Sequence, residues 1–154
     1  MQEGIDLCKA NVIDFLKDAK LIIAEKRLNH AYVSVEYAIE EFGKAEILKE
    51  VLQSSEGDPM IVSARVFKSH KYKDDKAWTI LDPKFKTIYD EESDFDDTDF
   101  DYKDFQTDTK ASHATRLHCA FVDCDHSGWY LGRNLNEELL NNLINHIEER
   151  LSRI

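Results

Sequence analysis

The sequence predicts an all-α fold, an antiparallel bundle of four to five helices interrupted by a long acidic loop. Three observations predict it. Apolar residues recur at spacings of three and four along much of the chain, which is the period of amphipathic helices. Asp58-Pro59, and Asn134 followed by Glu137, are helix-start signals. The 154 residues contain no internal repeat and suit one domain over 1–154, since such a chain buries roughly 70% of its unfolded surface.

The first two predicted helices cover about 5–26 and 29–54, with a break at 27–29 (one long bent helix is the alternative). The apolar stripe of the first helix comprises Ile5, Cys8, Val12, Phe15, Ala19, Ile22 and Ile23. The stripe of the second comprises Ala31, Val35, Ala38, Phe42, Ala45 and Leu52. Gly43 lies in the middle of the second helix, where it costs about 1 kcal/mol relative to Ala. Close approach of another helix is the simplest explanation for it.

A third helix is predicted from Asp58-Pro59, an N-cap side chain followed by proline, to about Tyr72. A long polar stretch follows, and within it residues 90–108 hold ten Asp or Glu and one Lys. We expect this tract to be mobile or partly disordered, because its composition offers little apolar surface to bury. Alternatively, its interspersed aromatic residues dock it on the basic region 65–86 and screen that region from RNA.

The chain beyond the acidic tract is predicted to return to the bundle. Residues 111–121 are apolar enough to form a helix, and 122–133, which contains two glycines, is predicted to be a loop. The last helix is predicted to open near Asn134, with Glu137 at capping-box spacing. Its apolar stripe comprises Leu135, Leu139, Leu140, Leu143, Ile144, Ile147 and Leu151.

The net charge of −11 comes mostly from one segment, because residues 90–108 carry −9 and the remainder of the chain carries −2. Affinity for nucleic acid depends on neutralising phosphates, so a uniformly acidic protein would be a poor RNA binder. Here the acidity is local, and the composition therefore does not exclude RNA as a partner.

Cysteine content and hydropathy indicate the compartment. Three cysteines, an odd and scattered set, do not form a disulfide framework and favour a reducing environment. No basic start precedes an apolar run of signal-peptide length. The longest apolar runs are a few residues, against the roughly 20 that a membrane span requires. We expect a soluble, cytoplasmic protein that does not bind membranes.

The second helix carries the segment Glu40-Glu41-Phe42-Gly43-Lys44. At 100° per residue, Glu40 is predicted to point nearly opposite the apolar stripe, and Glu41 to lie about 80° from its centre. Lys44 is one turn from Glu41, and an i,i+3 ion pair between them is predicted. As a surface pair it would contribute only a few tenths of a kcal/mol.

The third helix ends in a basic segment that contains Arg65, His70 and Lys73. On one ideal helix Arg65 and His70 would lie about 140° apart, so they converge only through the length of Arg or through a second chain. His70 and Lys73 share a face. An imidazole beside cations suits metal-free RNA cleavage, since His moves protons and Arg or Lys stabilises charge on phosphorus. The alternative is a solvated His and Lys at a helix end.

Three segments of the sequence resemble the AbiV family of phage-defence (abortive infection) proteins. Ala31–Leu48 is similar to the family's alanine-rich helix with Glu-Glu-x-Gly-Lys, and Phe67–Lys73 to its Phe-x-x-His-x-x-Lys element. Cys119–Asp123, followed by Trp129, is similar to its apolar-Asp-then-Trp segment. The resemblance covers about 31–130. It implies a HEPN-like antiparallel helical bundle, because AbiV proteins belong with HEPN domains.

Many HEPN domains are metal-independent ribonucleases marked by Arg, four to six residues, then His, and Arg65 and His70 match that pattern. The resemblance implies a homodimer that brings two such pairs into one cleft, with RNA as substrate, no cofactor and no metal. Arg65 would stabilise the transition state and His70 would act as general acid or base. Glu41 would orient His70 or a cation, and the supporting or RNA-binding cations would be Lys44, Lys71 and Lys73.

Two alternatives stay open. Active HEPN nucleases often carry a polar residue after the motif Arg, where this chain has Val66. That departure favours a non-catalytic helical dimer that binds a protein partner, such as a phage or host regulatory protein. The other alternative is a zinc site, although the spacing of its four candidate ligands matches no standard zinc finger; these are His118, Cys119, Cys124 and His126.

Overall fold

The computed structural model describes residues 1–54, 69–82, 85 and 135–154, together with the backbone of 122–125 and 128–131. These ranges hold four helices and one β-hairpin. The elements in chain order are α1 (Gln2–Ala24), α2 (Leu28–Gln53), α3 (His70–Trp78), β1 (Val122–Asp125), β2 (Gly128–Leu131) and α4 (Glu137–Leu151). The predicted all-α class is confirmed.

α1 and α2 pack as an antiparallel helical hairpin. The predicted break between them occurs at Glu25–Arg27, slightly earlier than expected, so the chain forms two helices and not one bent helix. Lys26 adopts a left-handed backbone conformation with φ of 58°, which reverses the chain direction. Its ammonium contacts the Glu137 carboxylate at 2.7 Å and so links the turn to the start of α4.

The core lies around α2, which packs against each of the other three described helices. Its apolar side packs against α1, whose predicted stripe omitted the fully buried Leu16 and included Phe15 and Ile22, which are only partly buried. A smaller cluster closes the other end of the α1–α2 hairpin and comprises Ile5, Cys8, Ala45 and Leu48. The residues of α4 that enter the core are Leu140, Leu143, Ile144, Ile147 and Leu151.

α3 begins at His70, inside the range predicted for the third helix, which was expected to run to about Tyr72. Ser69 has an extended backbone (φ −116°, ψ 107°), and its hydroxyl accepts a hydrogen bond from the Tyr72 N–H at 3.1 Å. A serine in this conformation is an N-cap, so a new helix starts at His70. The prediction of one helix running through to Tyr72 was therefore wrong at this end, because the sequence pattern did not reveal the cap. The predicted start at Asp58-Pro59 lies outside the described residues.

The structure differs from the sequence-based prediction in two further places. The predicted loop over 122–133 contains an antiparallel hairpin in which Val122 pairs with Leu131 and Asp125 with Gly128. β-branched and aromatic residues favour this pairing. α4 is capped by Asn136, whose side-chain oxygen accepts from the N–H groups of the second and third helical residues, so the helix starts after the predicted Asn134. The predicted helix over 111–121 and the acidic tract over 90–108 lie outside the described residues.

The segment after α3 is held to α4. The Asp82 backbone N–H donates to Nε2 of His146 at 3.0 Å, and the Phe85 and His146 rings lie 5.2 Å apart. α3 is thus fixed at both ends, by the Ser69 cap and by this contact. Among the described helices, none has an apolar stretch long enough to cross a membrane.

The backbones of α2 and α3 approach each other closely at Gly43. A Cβ atom built on it would lie 2.0 Å from the Lys73 carbonyl oxygen and 2.8 Å from the carbonyl carbon. Backbone atoms cannot rotate away as the end of a side chain can, so only glycine fits. The expected close helix–helix approach at this residue is confirmed.

Gly43→Ala should lower the free energy of unfolding by roughly 1–3 kcal/mol, because α3 must move away from α2 to admit the methyl group. Gly4→Ala is the matched control, since its Cβ would meet only the end of the Leu48 side chain at 3.3 Å. That variant should be as stable as wild type or gain up to about 1 kcal/mol from helix propensity. Urea-unfolding midpoints measure both, and equal stability of Gly43→Ala and wild type would contradict the packing argument.

Candidate active site

Glu40 lies at the centre of a polar cluster between α2 and α3. It stands one turn before Gly43, so both face α3. One Glu40 carboxylate oxygen lies 2.8 Å and the other 2.9 Å from Nδ1 of His70, and Nζ of Lys73 lies 3.3 Å from the same carboxylate. The cluster joins one acidic group of α2 to two basic groups of α3.

The cluster is buried on one side and open on the other. The side chains of Glu40 and Lys73 are only 11% and 4% exposed, whereas that of His70 is 61% exposed. His70 and Lys73 share a face of α3, as predicted from their i,i+3 spacing. Glu40 is predicted to point nearly opposite the apolar stripe of α2. That side of α2 is covered by α3, so the residue is buried and not solvated.

Glu41 faces α1. Its carboxylate pairs with Lys44, as the i,i+3 spacing predicts, and accepts from the Asn11 side-chain amide at 3.4 Å. The two paired side chains are only 13% and 15% exposed, so this is a partly buried pair and not the surface pair expected. Glu40, and not the predicted Glu41, is therefore the acidic residue that contacts His70. The signal that could have found it is its i,i+3 spacing to Gly43, which marks the face approached by a neighbouring helix.

Cys8 lies buried beside this second pair. Burial, together with the nearby Glu41 carboxylate, raises the pKa of the Cys8 thiol from 9.0 to about 11, although the Lys44 ammonium acts in the opposite direction. A thiol with so high a pKa carries almost no thiolate near neutral pH and is a poor nucleophile. Cys8 therefore serves the packing between α1 and α2 and not covalent chemistry.

The remaining candidate residues are distributed as follows. Lys71 lies on α3 and is exposed, whereas Lys44 and Lys73 hold their ammonium groups against carboxylates. Arg65 lies outside the described residues, so its distance from His70 stays a prediction. Of the four candidate zinc ligands, only the Cys124 backbone is described. In the described ranges, no group of three or more His, Cys, Asp or Glu is arranged to hold a metal ion.

Comparison with protein-family models matched the chain to a known family. A family model for HEPN-type proteins, described as AbiV, matches residues 1–151, nearly the whole chain. Comparisons with curated proteins and with solved structures found no match. The match extends over all four described helices, including the cluster of Glu40, His70 and Lys73.

Glu40→Gln should lower the free energy of unfolding by roughly 3–5 kcal/mol, because it leaves the Lys73 ammonium buried without a carboxylate. Glu50→Gln is the matched control. It breaks the ion pair with Lys76 between the same two helices, but the Glu50 side chain is 60% exposed. An exposed pair contributes about 0–1 kcal/mol. Urea unfolding measures both variants, and equal effects would contradict the assignment of Glu40 to a buried site.

A second prediction concerns pH. Since the folded-state pKa of Cys8 is raised above its unfolded value of 9.0, its contribution to stability is complete below pH 9.0. It is lost as the pH rises through about 11, because the unfolded chain gives up the thiol proton before the folded chain does. The free energy of unfolding of Cys8→Ala should fall less steeply than that of wild type between pH 9.0 and about 11. Parallel declines for wild type and variant in denaturant titrations would argue against a buried, carboxylate-facing thiol.

Proposed function

The chain belongs to the AbiV family of HEPN-domain proteins, and from that membership we propose that it is a phage-defence protein and a metal-independent endoribonuclease acting as a dimer. The observation that carries the proposal is the placement of His70. Its ring is largely open to solvent, yet one ring nitrogen is anchored on a buried carboxylate. A general acid or base needs both properties, since it must reach the substrate and keep its orientation.

The reaction is a transesterification within RNA. The 2′-oxygen attacks the adjacent phosphorus, its proton passes to a neutral imidazole, and the P–O5′ bond breaks. The leaving 5′-oxygen takes a proton from an imidazolium, either the same ring or that of a second protomer. The products are a 2′,3′-cyclic phosphate and a 5′-hydroxyl, and one proton is taken up for each proton returned.

Charge on the phosphorane needs a cation. Arg65, separated from His70 by four residues as in the HEPN pattern, is proposed to stabilise it, because guanidinium binds two phosphate oxygens at once. Lys71 is exposed beside His70 in sequence and is proposed to contact the RNA backbone. A homodimer would place two Arg65–His70 pairs in one cleft, which supplies both an acid and a base.

A non-catalytic helical dimer that binds a protein partner is the second candidate. The burial of Lys44 and Lys73 favours it, since two of the cations expected to support RNA binding face carboxylates instead. Under this hypothesis His70 serves the contact between α2 and α3 and no chemical step.

Purified wild type should cleave total cellular RNA in the presence of EDTA, and Arg65→Ala and His70→Ala should lose cleavage by roughly 10²- to 10⁴-fold. His30→Ala is the matched control, because His30 is an exposed histidine on α2 away from the cluster. It should cleave as wild type does. Gel analysis of the RNA and of its end groups is the measurement, and 2′,3′-cyclic phosphate ends are expected.

Several outcomes would contradict the proposed ribonuclease activity. His70→Ala cleaving as well as wild type would remove the proposed acid or base, and 3′-hydroxyl ends would contradict metal-free transesterification. Intact RNA with folded, dimeric wild type, tested also in extracts of infected cells, would favour the protein-binding dimer.

A further inference from the structure

We propose that Glu40 is the positioning residue of this site. Its carboxylate holds the His70 imidazole in the tautomer that carries its proton on Nδ1, so Nε2 is the nitrogen that exchanges protons with RNA. Only the proton exchange between Nε2 and RNA rests on the proposed ribonuclease function. The tautomer itself is a property of the folded protein without RNA.

The tautomer follows from the two distances to the carboxylate. Nδ1 of His70 lies 2.8 Å and 2.9 Å from the two Glu40 oxygens. An ionised carboxylate only accepts hydrogen bonds, so Nδ1 must be the donor in this contact. A neutral imidazole has one proton, and its lone pair then lies on Nε2. The same arrangement of carboxylate and histidine fixes the tautomer in catalytic triads and metal sites.

Lys73 keeps the carboxylate in its accepting form. Its ammonium lies 3.3 Å from Glu40, and the two side chains are 4% and 11% exposed. An adjacent cation favours the ionised state of a carboxyl group, and it does so more strongly where water is excluded. Lys73 therefore acts through Glu40 at this site, and a direct contact with phosphate would require it to leave that ion pair.

The backbone fixes the distance between Glu40 and His70. The Lys73 carbonyl rests on Gly43, one turn after Glu40, and this contact sets how α3 lies against α2. The Ser69 cap fixes where α3 begins, which makes His70 its first residue. His70 is thus placed by helix geometry at one end of its side chain and by a buried carboxylate at the other. That preorganisation is what a proton-transfer group requires.

The first test is the protonation pattern of the His70 ring, read from long-range proton–nitrogen NMR correlations of the ¹⁵N-labelled full chain without RNA. At a pH where the ring is neutral, wild type should show the proton on Nδ1 and the lone pair on Nε2. A wild-type ring protonated on Nε2 would overturn the proposal without any variant.

The variant is the double substitution Glu40→Met/Lys73→Met, which removes both partners of the buried ion pair at once. Replacing a whole buried pair by apolar side chains of similar length is tolerated far better than removing one partner. The variant should lose the preference for the Nδ1 proton, because Met offers no acceptor. The matched control, Glu50→Gln, breaks the exposed α2–α3 ion pair and should keep the wild-type pattern.

Kinetics then separate positioning from folding. With the folded fraction measured for each protein, the double variant should lose kcat by up to roughly 10²- to 10⁴-fold, the usual contribution of general acid–base catalysis. KM should change little, since Glu40 is buried and does not contact RNA. An unchanged kcat would overturn the positioning role while leaving the nuclease intact. A wild type that cleaves no RNA, yet carries its His70 proton on Nδ1, would overturn the nuclease while the tautomer assignment stands.

Discussion

The close approach of α3 to α2 at Gly43 is the contact on which the rest of the candidate site depends. Because the Lys73 carbonyl occupies the space of a Cβ atom, α3 lies against α2 at a distance that no other residue permits. That distance brings Glu40 within hydrogen-bond range of His70 and lets Lys73 pair with the same carboxylate. A larger residue at position 43 would separate the helices and break both polar contacts together.

The segment Glu40-Glu41-Phe42-Gly43-Lys44 contacts α3, the core and α1, because α2 is covered on each of these sides. Glu40 and Gly43 face α3, Phe42 lies in the core, and Glu41 and Lys44 face α1. Two ion pairs thus lie on different faces of one helix, each partly withdrawn from water. Buried pairs stabilise little relative to apolar packing, but losing one partner costs several kcal/mol. The arrangement therefore fixes the relative positions of α1, α2 and α3 more than it adds to stability.

The packing of α3 on α2 matters for chemistry because it joins an exposed imidazole, that of His70, to a buried carboxylate, that of Glu40. The His70 side chain is largely exposed, and the buried carboxylate that contacts it comes from a different helix. The sequence spacing of Arg65 and His70 describes only one part of such a site. The other part is the interface between α2 and α3, which determines the direction in which the ring points.

The sequence by itself determined the all-α class, the extents of α1 and α2 within a few residues, and the buried face of α4. It also determined the Glu41–Lys44 ion pair and the close approach of another helix at Gly43. All of these depend on local periodicity or spacing along one helix. Only the tertiary structure decided that α3 begins at His70, that strand 122–125 pairs with strand 128–131, and that Glu40 is buried beside His70 and Lys73. Periodicity reports which side of a helix is apolar, but it does not report which polar side another helix will cover. That choice is made by the packing of residues far apart in sequence.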